Sequence, residues 1–476
     1  MSLKQKVFSG IFWNFIETFL LKGVVFFAMI FIARYLGPEE FGLIGMIAVF
    51  IAIGNSLVDS GLSSSLIRTK GADDSDFSTV FYMNMLMSIL VYVVLYVSAP
   101  SIALFFEQEV LKNIIRVFCL TFVVSAFSAV QLAILNKEMK FRRVTLLSIP
   151  STVIGAVIGL WMSSNNYGVW SIVSMYMSTN ILLSLLLWLT SNWKPSFRFS
   201  MEKLRFHYAF GYKLMLSGLL NRLFDNSFNI VIGKFYPVEM LGFYDRAKKF
   251  NDYPSMAVTS VIGKVTYPVL SRLQDNREKL SFIYRKMLRV TFFIIAPLMI
   301  GAAAVAWPLF DLLLGKAWVA AVPFFQILSI SAILYPIHAF NITILKVFGR
   351  SDLFLKLEII KKIILVIALF IGFQFGIFGL VWSSVVTSIF ALLVNTHYSS
   401  RFIDYKTGSQ LLDMLPILIL CGVMFVIINY CSAFFIEYSS MLQIVFSFSI
   451  GFVFYISINL FLPKSAIHEL LLILKK

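Results

Sequence analysis

Charged residues and cysteines are scarce in this 476-residue chain. Asp, Glu, Lys and Arg together make up 13% of it and there are three cysteines, whereas 59% of the residues are hydrophobic and 16% are aromatic. Soluble domains carry about 25% charged residues, so this composition excludes an ordinary globular enzyme, a coiled coil and a disordered chain. Cys119, Cys421 and Cys431 have no metal-like spacing, and the sequence therefore predicts neither a disulfide framework nor a zinc site.

Hydrophobic runs of about 20 residues recur along the whole chain, and each is long enough to cross a bilayer as a helix. The sequence predicts an all-α integral membrane protein with about 14 transmembrane helices. The predicted spans are 11–33, 41–66, 80–106, 114–135, 144–163, 168–190, 214–235, 256–273, 290–310, 319–345, 357–375, 377–398, 414–434 and 441–462. The eighth span is short, polar and interrupted by Pro268, so the question whether it crosses fully stays open. The first run contains Glu17 and Lys22, which favours a retained helix over a cleaved signal peptide.

Lysine and arginine alternate between the predicted loops. When the N-terminus is placed in the cytoplasm, most of the 40 Lys and Arg residues fall on segments of the cytoplasmic side. This is the pattern that the positive-inside rule expects. The sequence therefore predicts that both termini lie in the cytoplasm.

The segment IARYLGPEEFGLIG (32–45) recurs without a gap as IGKFYPVEMLGFYD (232–245). The repeat unit is six helices, so both copies enter the membrane in the same direction, as in transporters whose lobes are related by an axis along the membrane normal. The predicted organisation is an N-terminal lobe, a basic amphipathic linker on the cytoplasmic surface, a C-terminal lobe, and two further helices with a cytoplasmic tail. These occupy 1–190, 191–210, 211–400 and 401–476. A plain linker is the alternative for the second segment.

Strongly charged residues near the middle of spans are confined to the first two helices of each predicted lobe. They are Glu17, Lys22, Asp59, Arg222, Asp225 and Lys264. Ionisable groups at membrane depth normally face a protein-lined or watery cavity. Asn14, Asn226 and Asn229 share helix faces with these charges. The pattern therefore predicts a polar cavity between the lobes, although local ion pairs (Glu17–Lys22 and Arg222–Asp225) are a competing interpretation.

Three cations that line one cavity suit an anionic ligand such as a diphosphate. Lys22, Arg222 and Lys264 are the predicted cations. Glu17, Asp59 and Asp225 are candidates for a proton or sodium site, and ion pairing is an equal alternative for them. The chain has no P-loop, and the sequence predicts no catalytic residue, metal site or cofactor. The Asp-rich motif DDSDFS (73–78) has no nucleotide-binding fold around it.

Four motifs resemble one transporter family. They are ARYLGPEEFGLIGM (33–46), DSGLSSSLIRTKGADDSDFSTVFYMNM (59–85), YGVWSIV (167–173) and LGFYDRAKKF (241–250). Together they resemble the Wzx-type polysaccharide exporters, or lipid-linked oligosaccharide flippases, and especially the colanic acid and teichuronic acid exporters. These belong to the multidrug/oligosaccharidyl-lipid/polysaccharide flippase superfamily.

The resemblance implies fourteen helices, two six-helix lobes related by a pseudo-two-fold axis along the membrane normal, and alternating access. It also implies an undecaprenyl-diphosphate-linked oligosaccharide as cargo for cell-surface polysaccharide biosynthesis (exopolysaccharide or lipopolysaccharide), and a bacterial cytoplasmic (inner) membrane location. Membrane lipids and other polysaccharide assembly proteins are the implied partners, and nucleic acid is not. The cationic cavity of the family maps onto Lys22, Arg222 and Lys264.

Two other functions compete with a flippase. A multidrug or cation antiporter of the same fold would favour a net acidic cavity. A membrane polysaccharide polymerase or ligase would need a large external loop, and no predicted loop is longer than about 20 residues.

The predicted topology is testable by cysteine labelling. Cysteines that replace Lys70, Arg143 and Lys406 should be protected from a membrane-impermeant reagent in intact cells, whereas cysteines that replace Glu39 and Lys316 should react, because the last two face outside. Permeabilised cells provide the control for reactivity. External labelling at position 143 would overturn the orientation.

Overall fold

The computed structural model describes residues 3–59, 61–462 and 465–469, and within them every regular element is helical. The chain forms two compact units, Met1–Gly242 and Phe243–Lys476. In the described part of the chain the helices labelled α1 to α18 follow in order: Leu3–Tyr35, Pro38–Asp59, Leu62–Arg68, Asp74–Phe106, Val110–Phe118, Leu120–Lys137, Phe141–Ser164, Trp170–Thr190, Met201–Asp225, Ser227–Phe235, Val238–Ser271, Arg277–Ala304, Ala306–Leu314, Val322–Val347, Ser351–Phe373, Gly376–Ser399, Thr407–Ser432 and Ser440–Phe461.

The first unit is built from helices that pack along one another over many turns. α7 lies between α1 and α8, α6 contacts both α4 and α8, and α2 packs against α4, α9 and α10. Small residues allow the close approach of α7 and α8, because a Cβ built at Gly155 would lie 2.8 Å from the carbonyl oxygen of Met175. In membrane proteins such small residues are what allows helices to pack tightly without help from the hydrophobic effect.

The second unit has its core around α12. This helix packs against α14 and α17, α15 and α16 pair with each other, and α18 packs against α13 and α17. The core contains fully buried Tyr284, Phe292 and Met299, all from α12. The predicted boundaries of the two lobes rest on the repeat and stay a prediction, because compact units defined by contacts need not coincide with repeat units.

Ten helical segments are long and apolar enough to cross a membrane within the part of the chain that the structure describes. The prediction of an all-α membrane protein is thereby confirmed, and the count of about 14 stays a prediction. The four remaining predicted spans, 11–33, 214–235, 256–273 and 357–375, all lie on helices, namely α1, α9 with α10, α11 and α15.

The two segments of the predicted repeat have matching helix boundaries. α1 ends at Tyr35 and α2 begins at Pro38, and 200 positions later α10 ends at Phe235 and α11 begins at Val238. The two copies therefore form the same helix–turn–helix. Residues 236–255 connect two predicted spans, and they are mostly helical rather than a loop, because α11 begins at Val238 and continues to Ser271.

The two copies contact each other reciprocally within the first unit. A Cβ built at Gly42 would lie 2.0 Å from the carbonyl oxygen of Val238, and a Cβ built at Gly242 would lie 1.9 Å from that of Pro38. Gly42 and Gly242 are equivalent in the repeat, as are Pro38 and Val238. Such a self-complementary contact is the signature of a local two-fold axis. Only glycine leaves room for these backbones to approach so closely.

Alanine at Gly42 or Gly242 should destabilise the protein by about 1–3 kcal/mol, because the new methyl group overlaps a backbone oxygen and the helices must separate. The Gly42→Ala/Gly242→Ala double variant should cost less than the sum of the two, since the first substitution already opens the contact. Thermal unfolding in detergent measures both effects. Gly422→Ala is the matched control, because nothing lies within 4 Å of a Cβ at that helical position. A Gly42→Ala protein as stable as this control would contradict the reciprocal contact.

Candidate functional site

The predicted site residues lie on α1, α2, α9, α10 and α11. The side chains of Lys22, Asp59, Arg222 and Asp225 are all exposed on their helices. The side chains of Asn14, Glu17 and Lys264 lie outside the described part of the structure, although α1 and α11 themselves are described. The charges that can be placed are therefore on unburied helix faces, as a cavity lining requires.

The predicted seventh helix is interrupted at its polar cluster. α9 ends at Asp225 and α10 begins at Ser227, so Asn226 sits at the break. The backbone N–H of Asn226 donates to the carbonyl oxygen of Arg222 at 3.2 Å, and its side-chain Nδ2 donates to the same oxygen at 2.7 Å. Asn226 therefore satisfies a carbonyl left free at a helix end. In transporters, interrupted helices mark ligand sites.

Asn229 has a different environment from its neighbours. Its side chain is 6% exposed, and its Nδ2 donates to the carbonyl oxygen of Gly45 at 3.2 Å. A buried amide needs such a partner, since leaving it unsatisfied costs about 1–3 kcal/mol. In this structure the amide of Asn229 therefore holds α10 against α2. Its role in the predicted substrate cavity stays a prediction.

The predicted second helix is also divided. α2 ends at Asp59, and α3 begins at Leu62 after Gly61, whose φ of 67° is in the left-handed region. A Cβ at Gly61 would lie 2.7 Å from the carbonyl oxygen of Gly211 on α9. Glycine is needed here both for the backbone conformation and for the close approach of α9. Asp59 thus lies at a helix end, as Asp225 does.

Three contacts show that α2 runs antiparallel to α9 and α10. Gly61 lies against Gly211, a Cβ at Gly218 would lie 3.6 Å from Ser56 Oγ, and Asn229 bonds to Gly45. By interpolation Asp59 is level with about residue 214, so Arg222 is about eight residues, or roughly 12 Å, further along the axis. Asp59 and Arg222 are therefore separated along the helix axis by roughly two turns.

Lys22 lies on α1, which packs against α7. α1 runs along α7, with Thr145 Oγ1 3.5 Å from the carbonyl oxygen of Trp13 and the side chain of Ile32 3.2 Å from a Cβ at Gly159. The residues between these contacts include Lys22, which points away from the α7 interface because it is exposed. The face of α1 that carries Lys22 is therefore free of α7.

A cluster of charges at the start of α11 was missed from the sequence. Arg246 Nη2 and Lys249 Nζ each lie 2.9 Å from Asp245 Oδ2, and Asp245 and Arg246 are buried. Hydropathy placed these residues in an external loop. The available signal was the i, i+4 spacing of Asp245 and Lys249, which is the spacing of an ion pair on one helix face.

Comparison with known proteins gives the class of the chain. The family model described as "Polysaccharide biosynthesis protein" matches residues 31–323. This match covers more than half of the chain, which therefore belongs to that family.

Three curated relatives are similar to the chain over most of its length. The teichuronic acid biosynthesis protein TuaB of Bacillus subtilis is 24% identical over 83% of this chain and 82% of its own length. The lipopolysaccharide biosynthesis protein WzxC of Escherichia coli is 24% identical, over 79% and 76%. The succinoglycan biosynthesis transport protein ExoT of Rhizobium meliloti is 25% identical, over 79% and 77%.

Solved transporters share the fold. The lipid II flippase MurJ in an inward closed conformation aligns with a TM-score of 0.72 at 15% identity, covering 94% of this chain and 98% of MurJ. An inward-facing multidrug resistance MATE family transporter aligns with a TM-score of 0.59 at 20% identity, covering 81% and 95%. At these identities the likeness shows the fold alone.

Exposed positions on a membrane protein face either water or hydrocarbon, and labelling distinguishes them. Cysteines that replace Arg222 and Asp225 should react with a small water-soluble thiol reagent, because charges at membrane depth require water or protein around them. A cysteine that replaces Val97, which is 69% exposed on an apolar stretch of α4, should react poorly. The background for all three has Cys119, Cys421 and Cys431 replaced by alanine. Equal reactivity at 97 and 222 would contradict a water-filled site.

Proposed function

We propose that this protein is a flippase that carries undecaprenyl-diphosphate-linked oligosaccharide units across the bacterial cytoplasmic membrane by alternating access, for cell-surface polysaccharide biosynthesis. One observation carries the proposal. A member of the polysaccharide biosynthesis protein family, with the fold of a flippase, exposes Lys22, Arg222 and Asp225 on the faces of helices predicted to span the membrane. The family and fold are those of transporters rather than of enzymes.

The proposed cargo has two parts with opposite solvation needs. The diphosphate and sugars cannot cross hydrocarbon without polar partners, whereas the polyprenyl tail is most stable in lipid. In the proposed site Lys22, Arg222 and Lys264 contact the diphosphate. Arginine offers a planar fork that matches phosphate oxygens, and lysine acts as a point charge. Asn14 and Asn226 are the proposed contacts to sugar hydroxyls, because amides both donate and accept hydrogen bonds.

The energy for transport comes, in this proposal, from an ion gradient. Glu17, Asp59 and Asp225 are the candidate proton or sodium sites, since carboxylates bind either ion. Asp59 and Asp225 end the two helices that are interrupted, and ions in transporters are often held beside such breaks. No cofactor is required. Both termini are placed in the cytoplasm, and membrane lipids and other polysaccharide assembly proteins are the proposed partners.

Neutral replacement of the cavity cations tests the proposed function. In proteoliposomes the wild-type protein should expose the sugars of an undecaprenyl-diphosphate oligosaccharide to a membrane-impermeant oxidant added to the opposite side. Lys22→Gln, Arg222→Gln and Lys264→Gln should each weaken binding about 10- to 150-fold, since a charge-assisted hydrogen bond contributes about 1.5–3 kcal/mol. Lys22→Arg should keep partial function because its charge survives.

Lys316→Gln is the matched control, because this exposed lysine lies in a predicted external segment. Rescue of transport by neutralising both members of a pair (Glu17 with Lys22, and Arg222 with Asp225) would favour local ion pairs and remove these cations from the substrate site. Cation-driven export of a lipophilic cationic drug without any flipping of the oligosaccharide would favour the antiporter instead.

A further inference from the structure

Residues 191–206, which comprise the connection from α8 to α9 and the start of α9, display large apolar side chains to the exterior. The chain is non-helical from Ser191 to Ser200. Phe197 is fully exposed, and Phe199, Met201 and Phe206 are at least half exposed. Contiguous exposed apolar surface on a folded segment marks an interaction site. We call this surface, formed by Phe197, Phe199, Met201 and Phe206, the aromatic ridge.

The segment that bears the aromatic ridge is tied firmly to the first unit. Trp193 Nε1 donates to Asp74 Oδ1 at 2.8 Å, and the Trp193 ring packs edge-on against Phe77 and Phe81. The backbone N–H groups of Ser196 and Ser200 donate to Ser78 Oγ and Thr79 Oγ1 at 3.0 and 3.1 Å. The ridge is therefore held in place by the start of α4.

A polar network, buried at Asp76 and His207, fastens the same segment at the first turns of α9. Lys203 Nζ pairs with Asp73 and lies 3.0 Å from Asp76 Oδ2. The fully buried His207 ring contacts Asp76 Oδ1 at 3.1 Å and Ser65 Oγ at 2.8 Å. Asp73 and Asp76 also form a capping box at the start of α4. The hydrogen bond from Lys203 lowers the pKa of Asp73. The Asp-rich motif of the sequence is therefore a helix cap and a docking point.

The network leaves the outer surface basic. The carboxylates of Asp73, Asp74 and Asp76 all have partners within the first unit. Lys194, Arg198 and Arg205 remain exposed around the aromatic ridge, and Glu202 is the exposed acid between them. An aromatic surface with an excess of cations is complementary to a lipid headgroup layer that carries negative charge.

The helices on either side of the aromatic ridge also carry exposed apolar side chains. Leu185 and Leu189, near the end of α8, are 52% and 73% exposed, and Leu214 and Leu216 on α9 are about half exposed. The exterior of helices that cross a bilayer is in contact with lipid. A ridge at the end of α8 and the start of α9 is therefore expected at the level of the headgroups.

We propose that the aromatic ridge inserts into the anionic leaflet of the bilayer on its side of the membrane, with Lys194, Arg198 and Arg205 in contact with lipid phosphates. The rings fill the boundary between headgroups and acyl chains, which is the preferred depth of aromatic side chains. The segment is thereby a lipid-binding anchor rather than a plain linker. This proposal is independent of which cargo the protein carries.

Spin-label accessibility in full-length protein tests the anchor. A nitroxide on Phe197→Cys is compared with one on Gln274→Cys, an exposed position between α11 and α12, in a background with Cys119, Cys421 and Cys431 replaced by alanine. The vesicles contain phosphatidylcholine alone or with phosphatidylglycerol. The label at 197 should be shielded from a nickel chelate and accessible to oxygen, more so with phosphatidylglycerol, whereas the label at 274 should stay accessible to nickel in both.

Replacing the three basic residues tests the electrostatic contribution to lipid binding. In the Lys194→Gln/Arg198→Gln/Arg205→Gln variant, the accessibility of the label at 197 should no longer depend on phosphatidylglycerol. Each basic side chain removed should lower the partition of the segment into the anionic leaflet about fivefold. A label at 197 as accessible to nickel as the label at 274 in both vesicles would overturn the proposal. Shielding that appears only after other membrane or cytosolic proteins are added would overturn it too, because a protein would then be the partner.

Discussion

The close approach of α2 to the start of α11 constrains the rest of the first unit. A membrane helix pair gains little from the hydrophobic effect, so its stability depends on how closely the two backbones pack. Gly42 packs against the carbonyl oxygen of Val238, and Gly242 packs against that of Pro38. The two contacts are equivalent in the repeat. The contact sets the position of the first turn of α11. It also places α10 against α2, where Gly233 lies against Met46 and Asn229 bonds to Gly45.

The charged positions follow from the same arrangement. Once α10 is fixed against α2, α9 must continue along α2 on the other side of the break at Asn226, and its exposed face carries Arg222 and Asp225. A charge on an exposed face at membrane depth is stable only beside water or polar protein, because hydrocarbon offers it no partner. The break itself is stabilised locally, since Asn226 supplies two donors to one carbonyl oxygen. The packed face of α9 and its charged face therefore both follow from the position of α10 against α2.

Much of this was predictable from the sequence, and the failures have physical causes. Hydropathy found the helices, and the repeat found the matched ends at Tyr35 and Phe235. Hydropathy placed 236–255 in a loop because it scores Asp245 and Lys249 as solvated, whereas their pairing on one helix face lets the helix continue. The division of helix 2 depends on the positive φ of Gly61 beside Gly211, a contact between distant residues that no local pattern contains. The role of Asp73 and Asp76 required His207 and Lys203, which lie far along the chain.

α9 connects the two regions that the function and the lipid anchor depend on. It has 25 residues, so it extends about 37 Å from its Ser200 cap to the break at Asn226. Its first turns hold Lys203 and His207 in the network with Asp76, and its last turn carries Arg222 and Asp225. A helix without an internal proline transmits displacement along its axis, and bending is concentrated where its hydrogen bonds are interrupted. A displacement of the polar end of α9 is therefore absorbed at Asn226 or at the adjacent Ser217 and Gly218, or is carried to the docked segment at Trp193, so the proposed anchor and the charged face are linked through one helix.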